Sequence, residues 1–212
     1  AKVLLEAVRS ASEGALIGVA GDSFVIRLRE AALSYDFWGW VSVRAGLIPT
    51  LIQPAFEQAE GMRVLGTNAL ETYEILTPAD LGISATLTLP AGFGHLSVAG
   101  TNGEGYRRRE MNRGKNVELL LSLHPLAFWK PGKPLLLQVG YQNGSLGTSL
   151  VKNDRLAFGL AYALPWLTVG VDYFYLMGAD GLSERRAWLF NTYARADLWR
   201  RRLLVRVRFS YY

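Results

Sequence analysis

Apolar and polar residues alternate with a period of two over most of this chain, and that period limits the fold more than any other feature. In LLVRVRFSYY (203–212), Leu203, Val205, Val207, Phe209 and Tyr211 share one face of an extended strand. Leu204, Arg206, Arg208, Ser210 and Tyr212 share the other. LGISATLTL (81–89) opposes Leu81, Ile83, Ala85, Leu87 and Leu89 to Gly82, Ser84, Thr86 and Thr88. VELLLSLH (117–124), LLLQVGYQ (135–142), RLAFGLAYA (155–163) and LTVGVDYFY (167–175) repeat the pattern. With 22 Gly, 10 Tyr and 6 Trp and no long helical periodicity, the expectation is an all-β fold.

About eleven strands are expected, over 2–10, 23–36, 40–47, 81–89, 93–100, 117–125, 134–142, 154–163, 166–176, 186–196 and 201–211. Single-chain bacterial barrels have an even number, so the expectation is either that EGALIGVAG (13–21) holds a twelfth strand or that a strand is missing at one end because the chain is a fragment. In FVIRLREAALSYDF the apolar phase changes near Glu30, which a β-bulge would repair. The connections alternate. Short ones fall near 38–39, 90–92, 125–133, 163–165 and 197–200, and longer ones at 48–80, 101–116, 143–153 and 177–185. Short turns at one end and long loops at the other are the arrangement of an outer-membrane barrel. No linker divides the chain, so 1–212 is expected to be one domain.

A soluble sandwich also alternates, but it turns its apolar face inward. Here the apolar face is bulky and carries aromatics near strand ends (Tyr141, Tyr162, Tyr173, Tyr175, Phe209, Tyr211), as interfacial girdles do. The opposite face mixes Gly, Ala, Ser and Thr with Arg, which suits a wet lumen better than a packed core. The expectation is therefore an antiparallel transmembrane β-barrel, with Leu137, Val139, Phe158, Leu160, Val169, Val171, Val205 and Val207 facing lipid.

Composition narrows the chemistry. No run approaches the roughly 18–20 apolar residues of a membrane helix, and AKVLLEAVRS lacks a signal-peptide core, so an exported protein would be met here as mature chain. Without Cys there are no disulfides or thiolate sites, and His95 and His124 alone make a poor metal site; no metal or cofactor is expected. No G-x-S-x-G, P-loop or HExxH occurs, and an enzyme is not expected. The net charge of +5 comes from 18 Arg and only 5 Lys. Such a balance suits anionic lipid or small anions; a nucleic-acid platform is not expected, since only one Tyr stands beside the basic run.

Seven segments in order, LREAALSYDF, VSVRAGLIPT, PAFEQAEGMR, DLGISATLTLP, LSVAGTNGEG, VELLLSLHPL and LLLQVGYQNGSLG, resemble the phosphate-selective porin superfamily of Gram-negative outer membranes over roughly residues 24–150. The resemblance implies a barrel and an outer-membrane location. It does not carry phosphate specificity, because Leu47 replaces the family's Gln after Gly46, Lys is scarce and the family's members are longer.

Projecting the alternation inward places Arg27, Arg29, Arg44, Arg155, Arg206 and Arg208 on the lumen side, with Glu118 and Asp172 as partial counter-charges. Rings of positive charge favour anions in a narrow pore; the same arginines could instead brace the wall. The 48–80 loop, with short helices expected after Pro54 and Asn68, is read as an inward constriction edged by Glu57, Glu60 and Arg63. YRRREMNRGK (106–115), with Arg107, Arg108, Arg109 and Arg113, is read as an outer loop that meets anions or lipopolysaccharide. The function expected is a passive, anion-preferring outer-membrane channel for small hydrophilic solutes. The competing expectation is a structural barrel that anchors a multiprotein envelope complex. Expected partners are outer-membrane lipid and lipopolysaccharide, small anions, and further copies or envelope proteins.

Overall fold

The computed structural model describes residues 1–10, 23–63, 66–103, 105–106, 114–146, 151–178, 185–198 and 203–212. Eleven strands form one antiparallel sheet: β1 (Lys2–Ser10), β2 (Ser23–Phe37), β3 (Val41–Pro49), β4 (Ala79–Leu89), β5 (Gly94–Thr101), β6 (Asn116–Leu123), β7 (Leu135–Asn143), β10 (Asp154–Ala163), β11 (Leu167–Met177), β12 (Arg186–Leu198) and β13 (Leu203–Tyr211). Every strand pairs with its sequence neighbour, except that β7 passes to β10 around a two-residue hairpin of β8 (Ser145–Leu146) and β9 (Val151–Lys152). That hairpin is too short for periodicity to reveal. No ladder joins β1 to β13 among the described residues, so the sheet is all-β and antiparallel without being closed by its own hydrogen bonds.

The two helices, α1 (Ile52–Glu60) and α2 (Ala69–Thr72), both lie in the β3–β4 connection, where short helices were expected. Among the described residues no helix is long and apolar enough to cross a membrane. The candidate strand at 13–21 and the basic run Arg107, Arg108, Arg109 and Arg113 lie outside the described residues.

The bulge sits where the sequence phase breaks. Leu5 pairs with Leu28 and Leu4 with Glu30, leaving Arg29 as the extra residue on β2. Beyond it Leu33 and Tyr35 take over the exposed apolar face from Ile26 and Leu28. One slip without this correction would have turned every later apolar side chain of β2 to the wrong side.

The register separates two chemically opposite faces. Across nine strands, Val41, Leu87, Leu96, Leu121, Val139, Phe158, Tyr173, Phe190 and Tyr211 occupy one continuous apolar row. This face is open: Ile26 is 72% exposed, Leu33 70% and Val207 60%. On the other face Arg44, Ser84, Ala99, Glu118, Gln142 and Arg155 form a matching row. Tyr106 links two strands of this sheet: its backbone N–H donates to the carbonyl of Ala79 in β4 at 3.0 Å, and its phenol donates to Glu6 of β1 at 2.6 Å.

Candidate functional site

The polar face carries the 50–78 segment, and small residues make room for it. α1 packs on β6, β7, β10 and β11. Ile52 lies over Gly140 and Phe56 over Gly159, so close that a Cβ on Gly159 would stand 2.7 Å from the Phe56 ring. Phe56 also meets Phe174 with ring centroids 5.0 Å apart. Ile52, Phe56, Leu70, Ile75 and Leu76 join Leu120, Ala157, Phe174, Leu176 and Leu189 of the sheet in one buried cluster. The i, i+4 spacing of Ile52, Phe56 and Glu60 puts all three on the face turned to the sheet.

Sheet side chains hold both ends of the helix. Leu51 at the N-cap offers no side-chain cap, so the carboxylate of Glu118 accepts the N–H groups of Leu51 at 2.7 Å and Ile52 at 3.4 Å. A negative charge at the positive end of the helix dipole stabilises it. Pro54, in the first turn, has no N–H that the helix needs there. At the other end Gly61, with φ 62°, stops the helix in the left-handed conformation, and Glu60 accepts a 3.0 Å bond from Arg208 of β13.

The rest of the segment is tied to itself and to the wall. Arg63 donates to Glu57 and Glu71, each at 2.7 Å. Asn68 accepts the N–H of Glu71 at 3.0 Å to start α2. Thr50 closes the base by bonding the carbonyl of Thr77 at 2.5 Å. Arg155, only 4% exposed, donates to the carbonyls of Ile75, Asp154 and Met177. Tyr73 stacks on Tyr212 with centroids 5.0 Å apart.

The arginines expected to share one lumen therefore divide by task. Arg27 and Arg44 are exposed, Arg44 on the β3 wall and Arg27 opposite Glu6. Arg29 is half-buried in the bulge, its Nε without a hydrogen-bond partner. Arg155 and Arg208 brace the 50–78 segment. Arg206 is half-buried on β13 and faces Arg195 across the ladder. Glu118 and Asp172, expected as counter-charges to arginine, pair with none among the described residues: Glu118 caps α1, and Asp172 accepts from Asn191 at 3.0 Å, which in turn accepts from Ser210 at 2.9 Å. α1 brings unpaired N–H groups to Glu118, whereas Asp172 is met by the side-chain amide of Asn191 on the neighbouring strand. Of the expected constriction edge, Arg63 is exposed, Glu57 half-buried and Glu60 buried.

Sequence reasoning missed Arg195, Gln53 and Glu71. Gln53 is fully buried and donates to Glu57 and Asn68. Nothing in a period-two pattern marks a loop residue that will be buried. A cavity of about 630 Å³ lies on the short-turn side of α1, and a smaller one of about 90 Å³ lies among Thr50, Asp80, Asn116, Glu118 and Asn153. No group of three or more His, Cys, Asp or Glu placed to hold a metal ion occurs among the described residues.

Fold and site together define a class: an antiparallel sheet with an exposed apolar outer face, whose polar inner face receives its own longest connection. Comparison with protein-family models, with curated proteins and with solved structures finds no match in any of the three.

Burial pushes the Glu60 carboxyl above its ordinary value, against the opposing pull of the Arg208 bond. The docked segment thus keeps the Glu60 proton to higher pH than a released segment would. A raised value makes docking tightest at acid pH and loosens it as pH rises through that value. The protection factors of the α1 amides, which are exchange rates corrected for the intrinsic pH dependence of exchange, should therefore fall between acid and neutral pH in the parent protein. In Glu60→Gln this dependence should flatten, and an unchanged slope would exclude Glu60 as its origin.

Proposed function

We propose that the chain is an outer-membrane β-barrel channel for small hydrophilic solutes, with the 50–78 segment as its constriction. The observation that carries the reading is the opposition of the two faces: apolar and exposed outside, polar and occupied inside. Strands of 9 to 11 residues in β3, β4, β7, β10 and β11 have the length that crosses a bilayer at a tilt. Aromatic residues gather at both ends of the apolar band. Trp38, Trp40, Phe128, Trp129 and Trp166 are exposed near the short turns, and Tyr141, Trp188 and Tyr211 toward the long loops. In a bilayer the unpaired edges of β1 and β13 must find partners, because lipid offers none; closure into a barrel supplies them.

α1 occupies the β6 to β11 side of the inner face. The β2 and β3 side keeps exposed Ser34, Asp36 and Arg44, which suits a passage between helix and wall. Arg44 and Arg27 give that passage an anion preference. The resemblance to phosphate-selective porins supports the same location and fold. A second reading, an anchoring barrel with a sealed lumen, draws on the depth to which Ile52 and Phe56 are buried.

Planar-bilayer recording of the purified protein tests the choice. Stepwise current supports the channel; silence from correctly folded protein supports the sealed scaffold. A lipid-facing outer surface carries its own test. Phe158→Arg should cost about 2–4 kcal/mol in unfolding from lipid vesicles, the scale for arginine near the midplane. Ser34→Arg on the inner face should leave the unfolding midpoint in place. Equal effects of the two would remove the lipid-facing assignment.

A further inference from the structure

The 630 Å³ cavity on the short-turn side of α1 has the volume of a site for one small organic molecule. Its walls differ in chemistry. Ala55 and Ala59 of α1 face Leu136 and Ala161 of the sheet, which makes much of the lining apolar. Arg195, His95, His124 and seven Gln, Ser and Thr side chains add polar groups, and among the described residues no aspartate or glutamate lines the space.

Arg195 also stands directly opposite Arg206 in the β12–β13 ladder. Like charges at one register position repel. Neither makes an ion pair among the described residues, and the Nε of Arg206 is buried without a hydrogen-bond partner. One terminal nitrogen of Arg195 fills the space beside Gly61 where a Cβ would go, at the end of α1 that favours a cation. That contact accounts for one guanidinium. It explains neither the second arginine nor the open space that Arg195 lines, where no aspartate or glutamate occurs among the described lining residues.

We propose that this cavity binds one organic anion with a compact apolar body. The carboxylate, sulfonate or phosphate of the ligand meets Arg195 in the field of Arg206, and its body lies against Ala55, Leu136 and Ala161. A guanidinium freed from water binds such a head group through charge-assisted hydrogen bonds. The proposal rests on the channel reading and deepens it, by naming the class of solute that pauses at the short-turn mouth.

The test is calorimetric titration of 2-naphthoate, and of its neutral counterpart 2-naphthalenemethanol, into purified protein in detergent micelles, with protein-free micelles as reference. Naphthoate should saturate at one per chain and bind about tenfold tighter than the alcohol. Arg195→Gln should erase that preference and leave the two compounds alike; a residue that merely braced α1 would lower both affinities together and keep their ratio. Ala161→Trp, which fills the cavity, should abolish both. Wild-type protein that does not distinguish acid from alcohol overturns the proposal, as does Ala161→Trp protein that still binds naphthoate. Protein that conducts without retaining naphthoate refutes this site alone, and protein that retains naphthoate without conducting refutes the channel alone.

Discussion

Replacing Ile52 and Phe56 together by alanine should raise single-channel conductance several-fold and expose the 50–78 segment to trypsin at Arg63. These two side chains fasten α1 to the sheet. Ile52 is fully buried and Phe56 is 2% exposed, and beneath them lie glycines that offer no side chain to take up the lost contact. A buried Ile→Ala change costs about 2–5 kcal/mol and Phe→Ala about 3–5 kcal/mol. The remaining ties are the packing of Leu70, Ile75 and Leu76 in the same cluster, the Glu118 cap, the Glu60–Arg208 pair and the Arg155 bond to Ile75, each polar tie worth about 1–3 kcal/mol at most. The strand ladders do not pass through either residue, so the sheet should stay folded while the segment leaves it. Recording and limited proteolysis on the same preparation separate the outcomes. Cleavage at Arg63 with unchanged conductance would mean that the segment does not set the pore.

The reason this fastening was hidden in the sequence, while the strands were plain, is one of range. Alternation is a local property: Leu167 to Tyr175 declares a strand and its two faces without reference to any other part of the chain. The same locality made the break near Glu30 readable as a bulge, and the alternating loop lengths readable as two ends of a sheet. Contacts of the 50–78 segment are not local. Leu51 and Glu118 are 67 residues apart, and Glu60 and Arg208 are 148 apart. The small residues of RLAFGLAYA were visible on the inward face, but their meaning depends on Phe56, which the pattern does not connect to them. Period two assigns a side chain to a face and leaves open whether water, a helix or a carbonyl meets it there. Hence the groups that Arg155 and Arg208 hold could not be foreseen.

Selectivity should consequently reside in Arg27 and Arg44 rather than in Arg208. Arg208 is spent on Glu60, and its reversal to Glu would set two carboxylates together at the end of α1. That variant should release the segment and change conductance more than ion preference. Arg27 and Arg44 make no ion pair among the described residues, and both are exposed, so they act on a passing ion by field. Salt weakens this field, because the Debye length falls from about 10 Å at 0.1 M to about 3 Å at 1 M. Reversing both residues in Arg27→Glu/Arg44→Glu should move the zero-current potential in a KCl gradient from anion toward cation preference, with the larger shift at low salt and little change in conductance. A double variant that conducts with the parent's potential would place the selectivity elsewhere, and the anion preference proposed for the β2 and β3 wall would fall with it.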